Sequence, residues 1–320
     1  MLMKRLTASL LALLLFFLCG CTAQESTETA PTSADTVTFT DALDRVVTLS
    51  RQPQRVAALL GSFADVWLLS GGTLCAAPED AWDDFGLELG DAVHLGGAHS
   101  PSLETLLSAD PDFVIASAST AADVEMQEVL ENAGIPTAYF DVDCFADYLE
   151  MLRICTDITG RKDLYRQNGT ELQERIDAVR EDCLRADLSE HERTVLLLRT
   201  SSGSVKAKGS EGTVLGEMLS DLGCINIADR DDTLTDSLSV ESVIRQNPYR
   251  IFVVTMGNDT QKAMENLTNM MDENPAWGTL DAVRENRLYV MDRKLFNTKP
   301  NAKWAESYEE LGKILLETDK

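Results

Sequence analysis

The sequence predicts an α/β protein with two Rossmann-like lobes, each built on a parallel sheet. One long rigid α-helix joins the lobes, and a ligand cleft lies between them. Short apolar strands alternate with amphipathic helices on both sides of the chain's middle, as in parallel sheets covered on both faces. The longest helical pattern lies at that middle, and a short segment recurs on either side of it. We therefore expect an N-terminal lobe at 37–160, a backbone helix at 161–186 and a C-terminal lobe at 187–320.

The N-terminal segment has the features of an export signal. Two basic residues precede an apolar run at 10–18, which is shorter than the roughly 20 apolar residues that a membrane-spanning helix needs. The segment closes at Cys21 and resembles a bacterial lipoprotein signal peptide over residues 1–20. We expect Cys21 to carry a lipid anchor, such as palmitate, on the outer face of the bacterial cytoplasmic membrane. Residues 21–36 are rich in Ser, Thr and acids without an apolar period, which predicts a disordered tether.

The elements of the first lobe follow from hydrophobic period and turn residues. Residues 36–49 alternate around a polar turn, which predicts a β-hairpin. Short apolar runs separated by helical periods then predict an alternation of strands and helices. The predicted strands are 55–60, 74–77, 113–118 and 137–141, and the predicted helices are 63–70, 102–109, 121–133 and 144–158.

The middle of the chain predicts the connecting helix. Leu172, Ile176 and Cys183 belong to one apolar stripe on an otherwise charged surface. At about 1.5 Å per residue the helix would span roughly 40 Å, which is longer than one small domain needs. Asn168 and Gly169 mark either its start or a slight kink. Beyond it, the predicted strands are 194–200, 251–255 and 287–291, and the predicted helices are 213–222, 240–246, 261–271 and 304–318.

One short segment occurs once in each predicted lobe. Residues 102–111 and 239–248 share a serine, a glutamate two positions later, two apolar residues and an Asp-Pro or Asn-Pro end. The offset between the copies is 137 residues. Serine caps a helix, a glutamate in the first turn favours the positive end of its dipole, and proline ends it. The repeat therefore predicts the same helix-to-strand unit at matching positions of the two lobes.

Composition and the absence of several patterns narrow the function classes. The formal charge of −25 argues against nucleic acid as a partner, because phosphates would be repelled. Three histidines supply a histidine-built metal site poorly. The five cysteines after Cys21 are an odd number without C-x-x-C spacing, which argues against a full disulfide framework and a redox site. No G-x-x-x-x-G-K, G-x-S-x-G or H-E-x-x-H pattern occurs, so neither an enzyme nor a cofactor is predicted.

Several weak patterns occur in one order along the chain: 40–43, 53–56, 102–112, the midchain helix, 274–277, 282–283 and 287–290. In that order they resemble the helical-backbone (class III) substrate-binding lipoproteins of ABC importers, which take up ferric siderophores, haem or cobalamin. The resemblance covers roughly 37–317. It implies a monomer that holds its ligand between two lobes and delivers it to a permease dimer with its ATPase subunits. It also places the family's docking glutamates, which meet arginines of the permease, on Glu104 and Glu241.

Candidate cleft residues follow from the rule that ligands of parallel α/β lobes meet the loops beyond the carboxyl ends of the strands. Trp82 is either an apolar platform or a ring folded into the lobe. His99, in a polar loop, is either an axial ligand of haem or a hydrogen-bonding loop residue, and no other direct metal ligand is predicted. The candidates are Ser62, Phe63, Trp82, His99, Ser117, Arg199, Lys206, Lys208, Met256, Lys294 and Phe296.

Basic residues cluster in two windows of the second lobe that contain no acid, 193–210 and 293–305. Together the windows hold eight of the chain's 28 basic residues. Unless these are ordinary solvated loops, they predict a positive field for an anionic guest, with Phe296 as a flat apolar surface between Lys294 and Lys299. We therefore expect a ferric siderophore, with haem or cobalamin as alternatives. A bare Zn²⁺ or Mn²⁺ receptor is disfavoured, because the second lobe lacks converging histidines.

Overall fold

The computed structural model describes residues 36–257 and 259–317, and the described part begins with the predicted β-hairpin. Strand β1 (Thr36–Thr40) pairs antiparallel with β2 (Val46–Ser50). Val47 and Leu49 are buried while their neighbours on β2 are exposed, which is the alternation of a half-buried strand. The predicted signal peptide, Cys21 and the tether up to residue 35 lie outside the described residues.

The first lobe is a five-stranded parallel sheet in the order β5-β4-β3-β6-β7. Every residue of β6 and β7 is buried, as expected for parallel strands covered on both faces. The strands are β3 (Val56–Ala58), β4 (Leu74–Ala77), β5 (Val93–His94), β6 (Phe113–Ser117) and β7 (Thr137–Phe140). The helices are α1 (Gly61–Leu69), α2 (Asp80–Asp83), α3 (Leu103–Ser108), α4 (Ala121–Glu125), α5 (Gln127–Asn132) and α6 (Phe145–Thr159).

The single helix predicted at 121–133 is wrong, because the structure has two helices there. Helix α4 is capped by Met126, whose backbone N–H donates to the carbonyl of Asp123, three residues earlier rather than four. Such a tight turn ends the regular α-helical hydrogen bonding. The side chain of Asp123 faces inward and accepts a hydrogen bond from the backbone N–H of Ser117, so this turn is fastened to strand β6.

The connecting helix is helical over its whole length but is not one regular α-helix. It consists of α7 (Lys162–Tyr165), a π-helical turn (Arg166–Thr170) and α8 (Glu171–Arg185). The π turn presses Gly169 against α6, where an added Cβ would lie 3.0 Å from the Leu149 side chain. Two hydrogen bonds fasten the same turn: Tyr148 donates to the Asn168 carbonyl, and the Asn168 amide donates to the Leu69 carbonyl. The irregularity predicted at Asn168 and Gly169 is therefore a widened turn held by the first lobe.

The second lobe also has a five-stranded sheet, but one of its strands is antiparallel. Strands β10-β8-β11-β12 are parallel, and β9 pairs antiparallel with β8 on the edge that β10 also uses. The strands are β8 (Thr194–Thr200), β9 (Val205–Lys208), β10 (Ile225–Asn226), β11 (Arg250–Thr255) and β12 (Leu288–Met291). The helices are α9 (Val214–Asp221), α10 (Asp232–Ser237), α11 (Val240–Gln246), α12 (Thr260–Glu273), α13 (Asp281–Arg284), α14 (Arg293–Phe296) and α15 (Trp304–Leu316). Residues 205–208 and 293–296, which lie between the elements predicted from sequence, thus form a strand and a helix.

One continuous hydrophobic core includes side chains from both sheets. It contains Phe63 and Phe140 of the first lobe, Leu197 of the second, and Ile176 of the connecting helix. Trp304, at the start of the final helix, is fully buried in this core, and its ring lies 5.9 Å from that of Phe145, on α6. The final helix therefore packs on the first lobe as well as on the second lobe, to which it belongs. Within the described ranges, no helix combines the length and apolar composition needed to cross a membrane.

Candidate functional site

The loops beyond β3 and β4 are held together by Asp80. Its Oδ2 accepts a hydrogen bond of 2.9 Å from the backbone N–H of Gly61, the first residue of α1. A Cβ on Gly61 would lie 2.6 Å from the Ala81 nitrogen, so only glycine permits this approach. The other oxygen of Asp80 is buried without a hydrogen-bond partner in the described part of the chain. Burial raises the pKa of Asp80, and the nearby charge of Asp84 adds to the effect.

Asp123 has the same role beyond β6. Its Oδ2 accepts a hydrogen bond of 2.8 Å from the Ser117 N–H, while its buried Oδ1 has no partner among the described residues. Burial raises the pKa of Asp123 to about 7, and the charge of Asp80 acts in the same direction. Neither aspartate was predicted as a site residue. Asp80 had one signal, since it follows a predicted strand by three positions at the edge where ligands bind.

The predicted aromatic surfaces are buried or partly covered in this structure. Phe63 and Phe296 are each 1 % exposed, so neither ring offers an open surface, and Phe296 is not the exposed flat surface that was predicted. Phe296 is buried because α14 folds it into the core that also contains Trp304. The Trp82 ring packs against the same core and stacks on His94 with centroids 3.8 Å apart. Trp82 is therefore partly buried, and His94 covers one face of its ring.

The polar candidates of the first lobe divide by exposure. Ser62 is buried, and its hydroxyl has no hydrogen-bond partner within the described ranges. Ser117 is buried as well, and its hydroxyl shares a hydrogen bond with that of Ser119. His99 is exposed in the loop after β5, and Met256 of the second lobe is exposed beyond the end of β11.

The first basic window forms a positive face at the edge of the second sheet. Arg199 on β8 lies directly opposite Lys206 on β9, and Lys208 follows two positions later on the same side of that strand. In the described part of the chain, no carboxylate lies within ion-pair distance of these three residues. Arg199 is half-buried, and its Nε has no hydrogen-bond partner there. Burial lowers the pKa of Lys208, as do the neighbouring charges of Arg199 and Lys206.

The second basic window faces acids of the first lobe instead. The Arg293 guanidinium forms a two-pronged ion pair with the Asp84 carboxylate. Lys299 is mostly buried. Its pKa is lowered by burial, and the negative charges of Asp143, Asp141 and Asp147 act on it in the opposite direction. The predicted field of free positive charge over 293–305 is therefore partly wrong, because the first lobe neutralises part of it. Lys294 is exposed, with no side-chain ion pair among the described residues.

Asn301 joins the same surfaces and was not predicted. It adopts a left-handed backbone conformation with φ 50°, which asparagine tolerates better than most residues. Its side-chain amide donates hydrogen bonds of 2.8 Å to the Ser62 carbonyl and to Asp65 Oδ2. We call Arg293–Asp84 and Asn301–Ser62/Asp65 together the lobe clasp. Nothing in the local sequence indicates these contacts, which join residues more than 200 positions apart.

Comparison with known proteins assigns the chain to a family. The family model described as periplasmic binding protein matches residues 56–295, three quarters of the chain. The chain belongs to the periplasmic binding protein family. Members of this family are binding proteins, so the chain is not an enzyme. Among the described residues of this binding protein, no three His, Cys, Asp or Glu side chains converge as a metal site.

Individual relatives of the binding protein are distant in sequence. The chain is 23 % identical over 312 residues to the uncharacterised ABC transporter substrate-binding lipoprotein YvrC of Bacillus subtilis, covering 96 % of this chain and 95 % of that one. The siderophore-binding protein BauB, solved with two acinetobactin molecules and ferric iron, matches with a TM-score of 0.69 at 19 % identity, covering 88 % and 100 %. Staphylococcus aureus IsdE, solved with haem, matches with a TM-score of 0.67 at 15 % identity, covering 82 % and 99 %. These structures show that the binding protein shares their fold.

The two copies of the internal repeat adopt the same local structure in the binding protein. Ser102 and Ser239 each cap their helix by accepting a hydrogen bond from the backbone N–H three residues on. Each copy ends in a left-handed residue before proline, with φ 48° at Asp110 and 42° at Asn247. The glutamates of the repeat, at 104 and 241, are exposed on their helices. Neither has an ion pair or side-chain hydrogen bond within the part of the chain that the structure describes.

Proposed function

We propose that this binding protein captures an anionic iron chelate of the ferric siderophore class and delivers it to an ABC importer. The positive face of Arg199, Lys206 and Lys208 carries the proposal. In a chain with a formal charge of −25, three neighbouring cations without an acidic partner among the described residues create a local potential that attracts and orients an anion. The ferric siderophore bound by BauB supports this ligand class.

Haem is the second candidate, and cobalamin is a third. The haem complex of IsdE, a protein of the same fold, favours haem, and the exposed His99 supplies an imidazole in a cleft loop. Haem propionates would also suit the positive face. A face of three cations favours an anionic ligand, so its charge argues against cobalamin.

A titration series tests the proposal. The purified protein is mixed with a ferric catecholate, a ferric hydroxamate, haemin or cobalamin, and binding is followed by absorbance and tryptophan fluorescence. We expect saturable binding of a ferric chelate. A Soret shift that is lost in His99→Ala would instead assign haem, and binding of cobalamin alone would contradict an anionic ligand.

Docking to the permease is proposed to use Glu104 and Glu241. Both are exposed first-turn glutamates on equivalent helices, one in each lobe. The double variant Glu104→Ala/Glu241→Ala should abolish uptake of the bound chelate while leaving its affinity unchanged. A matched control removes two other exposed glutamates, Glu88 and Glu190, and should transport normally. Normal uptake by the first variant would refute this docking surface.

The connecting helix is proposed to fix the distance between the docking glutamates. In this proposal, lobes at 37–160 and 187–320 move little about a rigid helix at 161–186 when ligand binds. Spin labels on cysteines replacing Glu104 and Glu241 would report the distance with and without chelate. A ligand-induced change larger than the width of the free-protein distance distribution would contradict a rigid spacer.

Membrane attachment is proposed to occur through acylated Cys21. The apolar run before Cys21 and the lipoprotein relative YvrC support this location on the outer face of the cytoplasmic membrane. Cells expressing the wild type should incorporate labelled palmitate into the protein. Cys21→Ser should lose the label and leave the membrane fraction. Unchanged labelling of that variant would exclude Cys21 as the acylated residue.

A further inference from the structure

The loop that joins α2 to β5, residues 84–92, lies on the ligand side of the first lobe. We call it the lid. It follows β4 and α2 at the carboxyl edge of the sheet, where ligands of parallel α/β lobes bind. Asp84 and Phe85, its first two residues, line a cavity of about 250 Å³, and residues of the segment 294–303 line the same cavity from the second lobe. The lid is therefore part of the wall of the inter-lobe cleft.

The outer part of the lid is held by few hydrogen bonds. Within the described part of the chain, no backbone N–H of residues 88–91 donates one. Gly86 and Gly90 have positive φ values of 63° and 56°, and a Cβ at either would meet nothing within 4 Å beyond its chain neighbours, so both serve the backbone turns rather than close packing. Leu87 and Leu89 rest half-buried on the core. A segment with so few backbone hydrogen bonds opens at a low cost in free energy.

The ion pair of the lobe clasp fastens the first residue of the lid to the second lobe. The Arg293 guanidinium donates two hydrogen bonds to the Asp84 carboxylate. Arg293 belongs to α14, which is anchored by the buried side chains of Leu295 and Phe296. Asp84, in contrast, belongs to the loosely held lid. The ion pair thus joins a fixed group of the second lobe to a segment of the first lobe that can move.

With this ion pair formed, the cleft leaves little room for the proposed chelate. Its cavity of about 250 Å³ is below the roughly 300–1,000 Å³ of pockets for drug-sized ligands. Wide separation of the lobes would disrupt the continuous core, which contains side chains from both sheets. Displacement of the lid leaves most of that core in place, so it is the less costly way to enlarge the cleft. It also leaves Arg293 without a charged partner unless the ligand supplies one.

We propose that the Asp84–Arg293 ion pair is an autoinhibitory latch, which holds the lid closed until an anionic chelate replaces Asp84 at the Arg293 guanidinium. A guanidinium binds the charged oxygens of such a ligand with the same two-pronged geometry that it uses for a carboxylate. A ligand without a negative group does not release the latch, so the latch selects for charge as well as for size. This inference rests on the proposed function for its ligand, whereas the movement of the lid can be measured without any ligand.

Hydrogen exchange of the ligand-free protein, followed by mass spectrometry, tests the latch itself. Asp84→Asn and Arg293→Gln each break the ion pair, and either should speed the exchange of residues 85–92 about tenfold. The buried strand β6 is the internal reference for a loss of global stability. Asp83→Asn changes an exposed aspartate without an ion pair among the described residues, and its lid should exchange like that of the wild type. Lid exchange that is unchanged in both latch variants, or raised no more than that of β6, would overturn the latch.

Titration with the ferric catecholate and the ferric hydroxamate should separate the two latch variants by the sign of their effect. Asp84→Asn removes the internal competitor and should bind the chelate about tenfold more tightly, whereas Arg293→Gln removes the group that the chelate needs and should bind it about tenfold more weakly. Asp83→Asn should bind like the wild type. A change of affinity in the same direction in both latch variants would refute competition at Arg293. If the wild type bound no chelate, the proposed function would fail, while the exchange rates would still support or overturn the latch.

Discussion

The carboxyl edges of the two sheets differ in the sign of their charged groups and in what those groups face. In the first lobe, Asp80 and Asp123 turn inward and accept hydrogen bonds from backbone N–H groups. In the second lobe, Arg199 and Lys206 share a face without an acidic partner in the described part of the chain. The inward acids organise loops, whereas the cations of the second lobe are those that we propose to meet a ligand. Under that proposal, the overall charge of −25 says little about the sign of the charge that the ligand meets.

The largest expected effect concerns Asp123 and the pH dependence of stability. Its pKa is raised from 3.8 to about 7 by burial, so between these values the folded protein holds a proton that the unfolded chain releases. The free energy of unfolding should therefore fall as pH rises from about 4 to about 7, by an amount on the order of 4 kcal/mol. Asp123→Asn retains an acceptor for the Ser117 N–H and removes the ionisation, so its stability should vary less across this range.

Urea denaturation at pH 4 and at pH 8 measures this difference directly. Asp91→Asn, at an exposed aspartate of the same lobe, serves as the control and should keep the wild-type pH dependence. If Asp123→Asn also kept the wild-type dependence, Asp123 would not hold its proton in the folded state. The contrast between an inward acid edge and an outward basic edge would then fail.

The next effect concerns the lobe clasp. The Arg293 and Asp84 side chains are 20 % and 22 % exposed, so their ion pair is largely removed from water. Asp84→Asn leaves the guanidinium without its charged partner and should cost about 2 kcal/mol of unfolding free energy. Adding Arg293→Gln should recover part of that loss. A double-mutant cycle by urea denaturation would give the coupling, and additive effects of the two changes would show that the pair does not join the lobes.

The smallest effect is on ligand binding at the positive face. Arg199→Gln should weaken the ferric chelate about tenfold, or about 1.4 kcal/mol, and reduce the dependence of affinity on salt. Lys313→Gln is the control for net charge. Fluorescence titration at low and high salt measures both quantities. Equal losses in the two variants would mean that the long-range field of the protein, rather than contact with Arg199, attracts the chelate.

The parts of the fold that depend on the local periodicity of apolar residues were predictable from sequence. Strand β8 has the predicted bounds, because its apolar run is long and is ended by a polar turn. Strand β9 was missed because it is short and half of it is lysine. The serine and glutamate positions of the repeat followed from helix capping, which is also a local effect. Whether the predicted cleft residues bind ligand is a question for the titrations.

Contacts between distant parts of the chain were not predictable in this way. From sequence alone, the basic window at 293–305 is predicted to carry free positive charge. In the folded protein, Asp84 of the first lobe lies beside Arg293 and pairs with it. Leu295 and Phe296 are the only apolar residues of the segment 292–299, and only the packing of α14 onto the core shows that Phe296 is buried. A single sequence specifies which side chains are charged or apolar, whereas the partner of each charge depends on the assembled lobes.

The burial of Trp304 has a consequence for the order in which the protein can become native. Because this ring lies near the end of the chain and packs against Phe145 and Tyr148, the first lobe cannot finish its own interior until the last helix is available. During the proposed export, the first lobe would cross the membrane before the C-terminal helix. Its apolar side chains at Phe145 and Tyr148 would stay uncovered until that helix arrives. A chain truncated before residue 304 would therefore leave Phe145 and Tyr148 of the first lobe without the ring that packs on them.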